Sequence, residues 1–578
     1  MDEAWIVDNP PSTRYPIYTR GNVGEVFPDP VAPLSWTLAG RPGSEPAWRD
    51  ALVRFGAFEQ SEFDPDELEI LGVFYGYCYL NVSVSRIFGV RTPGLTPETI
   101  DYTLFGTQAE VQPYTPLPTD ESPERTTAVG QTLGWVLSVD HLPDLDADRR
   151  AMAELRAARP DVGSMGERQL VDRVREHMER WFRHLFSQHL FITYASTVGT
   201  GIVSTVCQQI GEPGLAMPLL SGLGGVDSAA PSVAMWDLGR SIAASRSLTR
   251  LFDGGTDGLQ DRLRASDDPD ARRFEDAFAA FLVEFGSRGP NEWEMSCPTW
   301  ETDPDMALVA IDRMRLLPDS AAPALHAAKL ASDRQAAADK VRSALTGNAE
   351  ALGQFEAGLH SASVFLPARE RTKTTIVRLV QESRVMMREL GRRRVESGDF
   401  ERPTDFAMLT SDELEDFLSN PEPFRGLIRS RHARWEQLRA LVPPFVLNGE
   451  LVPPSRWQAS ADRPSHPALA GEVLAGIPGC AGEATGRARV VLDPAHGGEL
   501  HPGEVLVAPS TDPSWTPLFV PAAAVVVDVG AQLSHAVIVS RELGIPCVVS
   551  VSDATRRLRT GSLVRVDGTS GLVTVIDP

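Results

Sequence analysis

The sequence predicts a multidomain protein, with a large, mainly α-helical domain followed by a smaller C-terminal α/β domain. From about residue 145 to 445, long runs rich in Ala, Leu, Arg and Glu repeat their apolar positions at the helical period. From Gly476 onward, short β-branched runs alternate with Gly and Pro turns, which is typical of strands. Residues 447–475 carry four prolines and little apolar periodicity, which indicates a linker. The predicted boundaries are therefore 1–446, 447–475 and 476–578.

Composition restricts the function classes. The 578 residues are 42% hydrophobic and 23% charged, as in soluble globular proteins. A net charge of −23 argues against nucleic acid and anionic membranes as partners. We find no 18-residue apolar run, and the start, MDEAWIVDNPPS, does not resemble a secretory leader, so we expect a cytoplasmic protein. The five scattered cysteines form no CxxC pair, so they are expected to be reduced and no metal site is predicted.

The first 446 residues contain two kinds of segment. Residues 1–120 are proline-rich and irregular, with an apolar aromatic segment at 71–90 whose Phe and Tyr side chains are candidates for core or for an apolar substrate pocket. The remainder is predicted to be helical. The clearest amphipathic runs are 165–195, 228–252, 270–286, 320–345 and 372–396.

The C-terminal domain contains one histidine in an unusual place. Strand-like residues 521–529 lead through Gly530 into a predicted helix that Ser534 caps and that ends at Gly544. His535 then lies in the first helical turn, beside unpaired backbone N–H groups and the positive end of the helix dipole, where phosphate binds well. The alternative is a structural histidine. Arg541, later on this helix, is assigned to a surface or linker contact.

The sequence contains no lysine-based phosphate loop. Lysine occurs only at Lys329, Lys340 and Lys373, and no GxxxxGK[ST] motif is present. The one Gly-rich candidate, GLGGVDSAA at 222–230, has no lysine and does not match the dinucleotide fingerprint. An ATP site is therefore not predicted, whereas arginine remains available to bind phosphoryl oxygens.

Several segments resemble a known family. GAQLSHAVIVSRELGIPCVV at 530–549 resembles the phosphohistidine signature of phosphoenolpyruvate-utilising enzymes, and VLVAPSTDPSWTPLF at 505–519 resembles a second motif of the same swivelling domain. RARVVLD at 487–493 and LVRVDGTSGLVTVID at 563–577 resemble its opening and closing strands. Three further segments resemble the helical domain of rifampicin phosphotransferases and phosphoenolpyruvate-synthase-like proteins. They are YTRGNVGEVFPDPVAPLSW at 18–36, FGSRGPNEWEMSCPTWETDP at 285–304 and RLVQESRVMMRELGRRR at 378–394.

The resemblance implies a substrate-binding helical domain and a phosphohistidine domain, with His535 as the residue that accepts and passes on a phosphoryl group. Members of this kind begin with an ATP-grasp domain, and this sequence starts with what resembles the second domain. We therefore expect a separate ATP-grasp protein as partner, or another phosphoryl donor. No tightly bound cofactor is expected, and ATP and Mg²⁺ would be held at the partner's site.

Two pairs of residues are candidates for handling the phosphoryl group. Arg384 and Arg388 are spaced i,i+4 and share a helix face, so they either clamp the group or form part of a solvated basic face. Thr511 and Asp512 lie in the loop that the family places near His535. They either orient the imidazole ring or serve only in a turn.

Two turn regions supply further candidates for substrate binding. They share polar side chains beside Gly or Pro, as in loops that line sites. Their residues are Arg20, Asn22 and Glu25 in TRGNVGEV and Arg288, Asn291 and Glu292 in SRGPNEWE. Either Glu25 or Glu292 is placed to accept the proton of a substrate hydroxyl.

Three functions fit these residues. The first is a phosphotransferase, or a phosphotransferase subunit, that relays a phosphoryl group through His535 to a hydroxyl of an apolar small molecule. The second is a dehydration or elimination in which the phosphorylated hydroxyl leaves. The third is a non-catalytic small-molecule-binding protein with a vestigial relay.

Overall fold

The computed structural model of the protein describes residues 3–105, 111–225, 227, 229–460, 466–494, 500–530 and 534–578. Within these ranges the chain forms two compact units. The first contains residues up to Ser196 together with Trp293–Ser296 and Arg371–Pro464. The second contains Thr197–Glu292, Cys297–Glu370 and Ser465–Pro578.

Helices dominate the chain up to Arg439. In chain order the helices are α1 Val23–Val26, α2 Pro33–Ser35, α3 Glu45–Phe55, α4 Val82–Arg91, α5 Pro97–Phe105, α6 Pro123–Val136, α7 Pro143–Ala157, α8 Glu167–His177, α9 Arg183–Gln209, α10 Ala216–Leu219, α11 Ala230–Ala244, α12 Arg246–Asp253, α13 Leu259–Arg264, α14 Pro269–Phe285, α15 Asp305–Arg315, α16 Pro323–Ala344, α17 Ala349–Glu396, α18 Glu413–Ser419, α19 Glu422–Arg439, α20 Thr516–Phe519, α21 His535–Leu543 and α22 Ala554–Arg557. Two π-helical stretches, Trp36–Ser44 and Met178–Phe182, join α2 to α3 and α8 to α9.

Strands are concentrated near the two ends of the chain. They are β1 Ile17–Thr19, β2 Leu71–Phe74, β3 Tyr77–Asn81, β4 Leu441–Val442, β5 Val446–Asn448, β6 Gln458–Ala459, β7 Val473–Ala475, β8 Ile477–Cys480, β9 Glu483–Val490, β10 Val505–Ala508, β11 Ala524–Val527, β12 Cys547–Val549, β13 Leu563–Asp567 and β14 Leu572–Asp577.

The first unit is built on a small antiparallel sheet surrounded by helices. Its strand order is β2-β3-β1-β5, and β4 pairs separately with β6. The sheet forms because 71–81 is almost continuously apolar, and every residue of β2 and β3 is buried. Tyr77 and Tyr79 donate their hydroxyls to the carbonyls of Leu438 and Pro444, so these tyrosines belong to the core.

The second unit contains an eight-stranded sheet in the order β7-β14-β13-β9-β10-β11-β12-β8. β9, β10, β11 and β12 run parallel, and the neighbours outside them are antiparallel. β10 and β11 are buried throughout because their valines pack on both faces of the sheet. α21 connects the parallel strands β11 and β12, so its first residue lies beyond the carboxyl end of β11.

The helical part of the second unit and its sheet share one hydrophobic core. Buried side chains of α11 and α15, such as Trp236 and Met314, belong to the same cluster as Leu518 and Phe519 of α20 and Val537 of α21. A core continuous across both parts means that, in this structure, α20 and α21 are packed firmly on the helices.

The predicted fold class is confirmed, and each of the clearest amphipathic runs coincides with observed helices. The segment 447–475 contains β6, β7 and most of β5, strands that were not expected from its sequence, and its role as a linker stays a prediction. Its apolar residues explain the strands at its end: Leu474 is buried between strands, and Ala468 packs in the same core. Residues 461–465 of that segment lie outside the described ranges.

One helical stretch has an apolar window that was not expected from the sequence. Glu167–Gln209 is long and apolar enough to cross a membrane, with 50% of its best 18-residue window buried inside the protein. A core helix passes the same test, so this stretch is weak evidence for a membrane span.

Candidate functional site

His535 is the first residue of α21, and its position follows from the local sequence. The buried strand β11 ends at Val527, and Ser534 then adopts the extended conformation of an N-cap, at φ −71° and ψ 161°. The side chain of Ser534 makes no capping hydrogen bond to the described helix residues. Gly544 ends the helix in the left-handed conformation, as predicted. Residues 531–533 of the signature lie outside the described ranges.

Two threonine hydroxyls contact the two nitrogens of the His535 ring. Thr511 Oγ1 lies 3.0 Å from Nδ1, and Thr516 Oγ1 lies 3.2 Å from Nε2. His535 is only 8% exposed, and Phe519 meets its ring edge-on with 5.9 Å between ring centroids. A hydroxyl can donate to a ring nitrogen or accept from it, so the two threonines hold the ring in one orientation whichever nitrogen carries a proton.

The loop that carries both threonines is stiffened by Asp512. Its Oδ1 accepts the backbone N–H of Ser514 at 2.9 Å, and its carbonyl oxygen accepts the N–H of Trp515 at 2.9 Å. These bonds form a 3₁₀ turn that leads directly into α20, whose first residue is Thr516. Of the predicted pair, Thr511 therefore contacts the ring, whereas Asp512 shapes the turn that presents it.

Asp512 also joins this loop to a buried ion pair. Its Oδ2 accepts the backbone N–H of Asn291 at 3.1 Å, and the next residue, Glu292, forms a salt bridge of 3.0 Å with Arg288. The side chains of Arg288 and Glu292 are 2% and 1% exposed. Burial raises the pKa of Asp512 to about 6, hydrogen bonds from Ser514 and Asn291 oppose the rise, and the charge of Glu292 adds to it.

The segment around Arg288 folds back tightly on itself. The N–H of Trp300 donates to the carbonyl of Arg288 at 2.8 Å. A Cβ at Gly289 would lie 2.4 Å from the carbonyl oxygen of Pro298, so only glycine fits this close approach. The second unit thus places six predicted residues on connected segments: His535, Thr511, Asp512, Arg288, Asn291 and Glu292. We call Arg288, Glu292 and Asp512 the acid–arginine cluster.

Arg384 and Arg388 lie in the first unit, on α17. Arg384 is fully buried and donates to Gln381 Oε1 at 2.6 Å and to the carbonyl of Glu294 at 3.0 Å. Arg388 donates to the carbonyl of Ser296 at 2.9 Å. Neither lies on a solvated basic face, in contrast to the exposed Arg392, and a role for the pair in clamping a phosphoryl group stays a prediction.

The turn at 18–26 also belongs to the first unit. Arg20 is buried, donates to the carbonyls of Cys78, Phe27 and Pro28, and lies over the Tyr77 ring. Asn22 is exposed, with φ 69°, and Glu25 is half-buried in α1. Arg20 is thus bound to main-chain carbonyls, and a substrate role for these three residues stays a prediction.

Two residues near the site were missed from the sequence. Thr516 was quoted only as part of a motif, and its contact with Nε2 depends on how the loop folds. Arg541 was assigned to a surface or linker contact, which is wrong: it is 7% exposed and donates to the carbonyl of Gly479 at 3.1 Å. Within the described ranges, no group of three His, Cys, Asp or Glu side chains could hold a metal ion.

Comparison with known proteins identifies two domains. The family of the rifampicin phosphotransferase fourth domain matches residues 188–370, and that of the mobile domain of PEP-utilising enzymes matches residues 500–571. The second match contains the two threonines and His535. The first contains Arg288 and Glu292.

Curated relatives match about half of the chain. An uncharacterised protein of Mycobacterium tuberculosis is 33% identical over 53% of this chain and 32% of its own length. A prodigiosin synthesizing transferase of Serratia marcescens is 34% identical over 53% of this chain and 34% of its own length. A rifampicin phosphotransferase of Streptomyces sviceus is 31% identical over 53% of this chain and 35% of its own length. The chain therefore spans about a third of the length of each of these relatives.

Proposed function

We propose that this chain, a member of the PEP-utilising, rifampicin phosphotransferase-like family, relays a phosphoryl group through His535 to a hydroxyl of an apolar small molecule. The observation that carries the proposal is the His535 ring, oriented by Thr511 and Thr516 on a loop that Asp512 joins to the buried Arg288–Glu292 pair. Phosphoryl transfer depends on positioning and on neutralised charge. The two threonines support the first, and we assign the second to Arg288, which would share its charge between Glu292 and the phosphoryl oxygens.

The relay has two steps. First, a lone pair of the neutral imidazole attacks the phosphorus of the donor, and an N–P bond forms as the bond to the donor's leaving group breaks. Second, the acceptor oxygen attacks the same phosphorus. An O–P bond then forms, the N–P bond breaks, and its electron pair returns to the ring. The hydroxyl proton passes to a carboxylate.

The acid–arginine cluster supplies what the second step needs. Arg288 brings a positive charge that offsets the negative charge of the phosphoryl oxygens. Asp512 suits the role of proton acceptor because its pKa of about 6 is close to neutral pH. Glu292 remains the alternative acceptor. It is also the group whose charge helps to raise the pKa of Asp512.

The relay through His535 needs a phosphoryl donor and an acceptor. We propose ATP, used by an ATP-grasp protein that holds Mg²⁺ at its own site, as the source of the phosphoryl group. The acceptor is not carried over from any relative, because the relatives' names include a prodigiosin synthesizing transferase, a rifampicin phosphotransferase and a chondramide synthase.

The test is the detection of phosphohistidine at position 535. The purified chain is treated with phosphoramidate, a small chemical donor, and separately with ATP and candidate ATP-grasp proteins. Acid-labile phosphate is then located by peptide mass spectrometry. We expect it on wild type and on His501→Ala, an exposed histidine of the same domain, but not on His535→Ala. Labelling of wild type that persists in His535→Ala would overturn the proposal.

The charged protein then distinguishes the outcomes of transfer. Acceptor libraries are incubated with phosphorylated chain, and the products are weighed by mass spectrometry. A gain of one phosphoryl group supports the transferase, whereas loss of the hydroxyl oxygen together with phosphate supports the elimination. Equal ligand affinity and equal biological effect of wild type and His535→Ala would favour a binding protein.

A further inference from the structure

The Gly-rich loop at 222–225 has the backbone of an anion-binding loop. It connects α10 to α11, and Gly222, Gly224 and Gly225 have φ of 58°, 73° and 66°. Left-handed residues in such a run turn successive N–H groups toward one side, which creates a concave site for negative charge. The loop has no lysine and matches no nucleotide fingerprint, so the question is which anion it holds.

The anion is a carboxylate of the protein itself. Glu542, in the last turn of α21, lies beside the backbone N–H groups of Leu223 and Gly224, and both groups act to lower its pKa. Arg334 lies near the same carboxylate and donates to the carbonyl of Gly222 at 2.6 Å. Burial raises the pKa of Glu542 to about 6, although both N–H groups and the charges of Arg334 and Arg541 oppose that rise.

The residues on either side of Glu542 also contact the helical part of the second unit. Arg541 Nη2 lies 3.5 Å from Met217 Sδ of α10. The carbonyl oxygen of Leu543 lies 3.1 Å from His326 Nδ1 of α16. At Gly544 an added Cβ would lie 3.2 Å from the Leu330 side chain, so α16 approaches closely there. The last turn of α21 is therefore held by α10, by the Gly-rich loop and by α16.

This attachment bears on His535 through the geometry of one short helix. Glu542 follows His535 by seven residues, or about two turns, so the two side chains project from nearly the same face of α21. They are separated by about 10 Å along the axis, at 1.5 Å per residue. A nine-residue helix behaves as a rigid rod, so movement of its last turn moves its first residue as well.

We propose that the Gly-rich loop is a receptacle for Glu542 and that Glu542 is a positioning residue that holds His535 at the acid–arginine cluster. The positioning of His535 for catalysis rests on the proposed function, whereas the binding of Glu542 by the loop does not. The motif that resembled a phosphate loop thus binds the phosphohistidine helix instead of a nucleotide.

The first test measures the receptacle without phosphoryl chemistry. Amide hydrogen exchange at Leu223 and Gly224 is compared in wild type, Glu542→Ala and Glu542→Gln, and the ring reactivity of His535 is followed with diethyl pyrocarbonate. In Glu542→Ala we expect both rates to rise about tenfold, as for loss of one charge-assisted hydrogen bond. Glu542→Gln keeps an acceptor oxygen, so its two rates should lie between those of wild type and those of Glu542→Ala.

Two controls separate positioning from general destabilisation. Glu483→Ala, on β9 of the same domain, should leave both rates at their wild-type values. Gly224→Ala strains the loop because φ is 73°, yet the added Cβ has no atom within 4 Å, so we expect faster modification of His535. Gly211→Ala imposes the same kind of strain, at φ 75° with equally open surroundings, and should change neither rate.

The results distinguish the receptacle from the proposed function. Unchanged exchange at Leu223 and Gly224 in Glu542→Ala, or equal effects of Gly224→Ala and Gly211→Ala, would overturn the proposal that the loop binds Glu542. If these readouts behave as expected but wild type forms no phosphohistidine, the proposed function fails while the receptacle stands. If both hold, Glu542→Ala should accept phosphate from phosphoramidate faster than wild type and pass it to an acceptor more slowly. A purely structural defect would lower both rates.

Discussion

Thr511 fixes one side of the His535 ring, with its Oγ1 3.0 Å from Nδ1. Thr511 is only 7% exposed, and its loop is held by the turn that Asp512 caps, so its hydroxyl cannot easily follow a rotating ring. If Thr511 accepts the proton on Nδ1, the lone pair for attack lies on Nε2, where Thr516 is the neighbour. A threonine then takes the orienting part that a carboxylate takes in many histidine sites.

The first prediction concerns that orientation. Thr511→Val keeps the shape of the side chain and removes the hydroxyl, so the ring can occupy unproductive orientations. We expect phosphorylation of His535 by phosphoramidate to slow about 10–100-fold, as for the loss of partners that orient a functional histidine. The measurement is the initial rate of phosphohistidine formation.

Thr574→Val on β14 is the matched control and should retain the wild-type rate. A Thr511→Val protein that is phosphorylated as fast as this control would show that the hydroxyl does not orient the ring.

The second prediction concerns Asp512 and pH. Its pKa of about 6 means that the carboxylate is mainly ionised at pH 7 and mainly protonated at pH 5. As a proton acceptor it must be ionised, so transfer from phosphorylated His535 to an acceptor should fall as the pH drops through about 6. In Asp512→Asn, transfer should be slow and this limb of the pH profile absent.

Asn at position 512 can still accept from Ser514, so the turn should survive, and circular dichroism checks this. Ser514→Ala is the control for the turn, and its transfer rate should still fall as the pH drops through about 6. If Asp512→Asn keeps that limb as well, another group accepts the proton, with Glu292 as the next candidate.

The third prediction concerns the buried Arg288–Glu292 pair. Removing one partner leaves the other charge without its ion-pair partner in a site that is 1–2% exposed. We therefore expect Arg288→Ala to lower the free energy of unfolding by about 3–5 kcal/mol. The double variant Arg288→Met, Glu292→Leu should lose less, because neither charge remains buried. Urea unfolding measures both.

Arg392→Ala provides the contrast, since Arg392 pairs with Glu389 and Glu396 on an exposed surface and should give no measurable change. Equal losses in Arg288→Ala and the double variant would mean that the pair contributes through packing and not through its charges.

The secondary structure near His535 could be read from the sequence because each step had a local signal. The valines of β11, the extended backbone at Ser534 and the stop at Gly544 all depend on residues within a short stretch of the chain. Long amphipathic runs likewise predicted helices, since burial of one apolar stripe is periodic along the chain. The short strands in 447–475 were not expected, because they lie in a proline-rich segment and pair with partners that are distant in sequence.

The contacts of the site could not be read in the same way. Thr516 approaches Nε2 only because Asp512 caps a 3₁₀ turn that aims α20, and the partners of Asp512 include Asn291, which is 221 residues away in sequence. Arg541 is buried because the helical part covers α21, which no local pattern indicates. Arg384 and Arg388 share a face as predicted, but their partners are main-chain carbonyls that only tertiary structure identifies.

The last prediction concerns the pH dependence of the receptacle. Burial raises the pKa of Glu542 from 4.5 to about 6, so the folded state binds a proton more tightly than the unfolded state does. Its contribution to stability is therefore fully present below about pH 4.5 and is lost as the pH rises through about 6. Above that pH, wild type retains a buried carboxylate that Arg334 and Arg541 only partly offset. Glu542→Gln removes this charge and should be less sensitive to pH.

We expect the free energy of unfolding of Glu542→Gln, relative to wild type, to rise by up to about 2 kcal/mol between pH 4.5 and pH 7. Urea unfolding at intervals of half a pH unit gives this difference. Subtracting the wild-type value at each pH removes the contribution of the carboxylates that both proteins share. Glu483→Gln on β9 should give a flat difference. A flat difference for Glu542→Gln as well, with exchange at Leu223 and Gly224 unchanged, would mean that the carboxylate is solvated and does not occupy the loop.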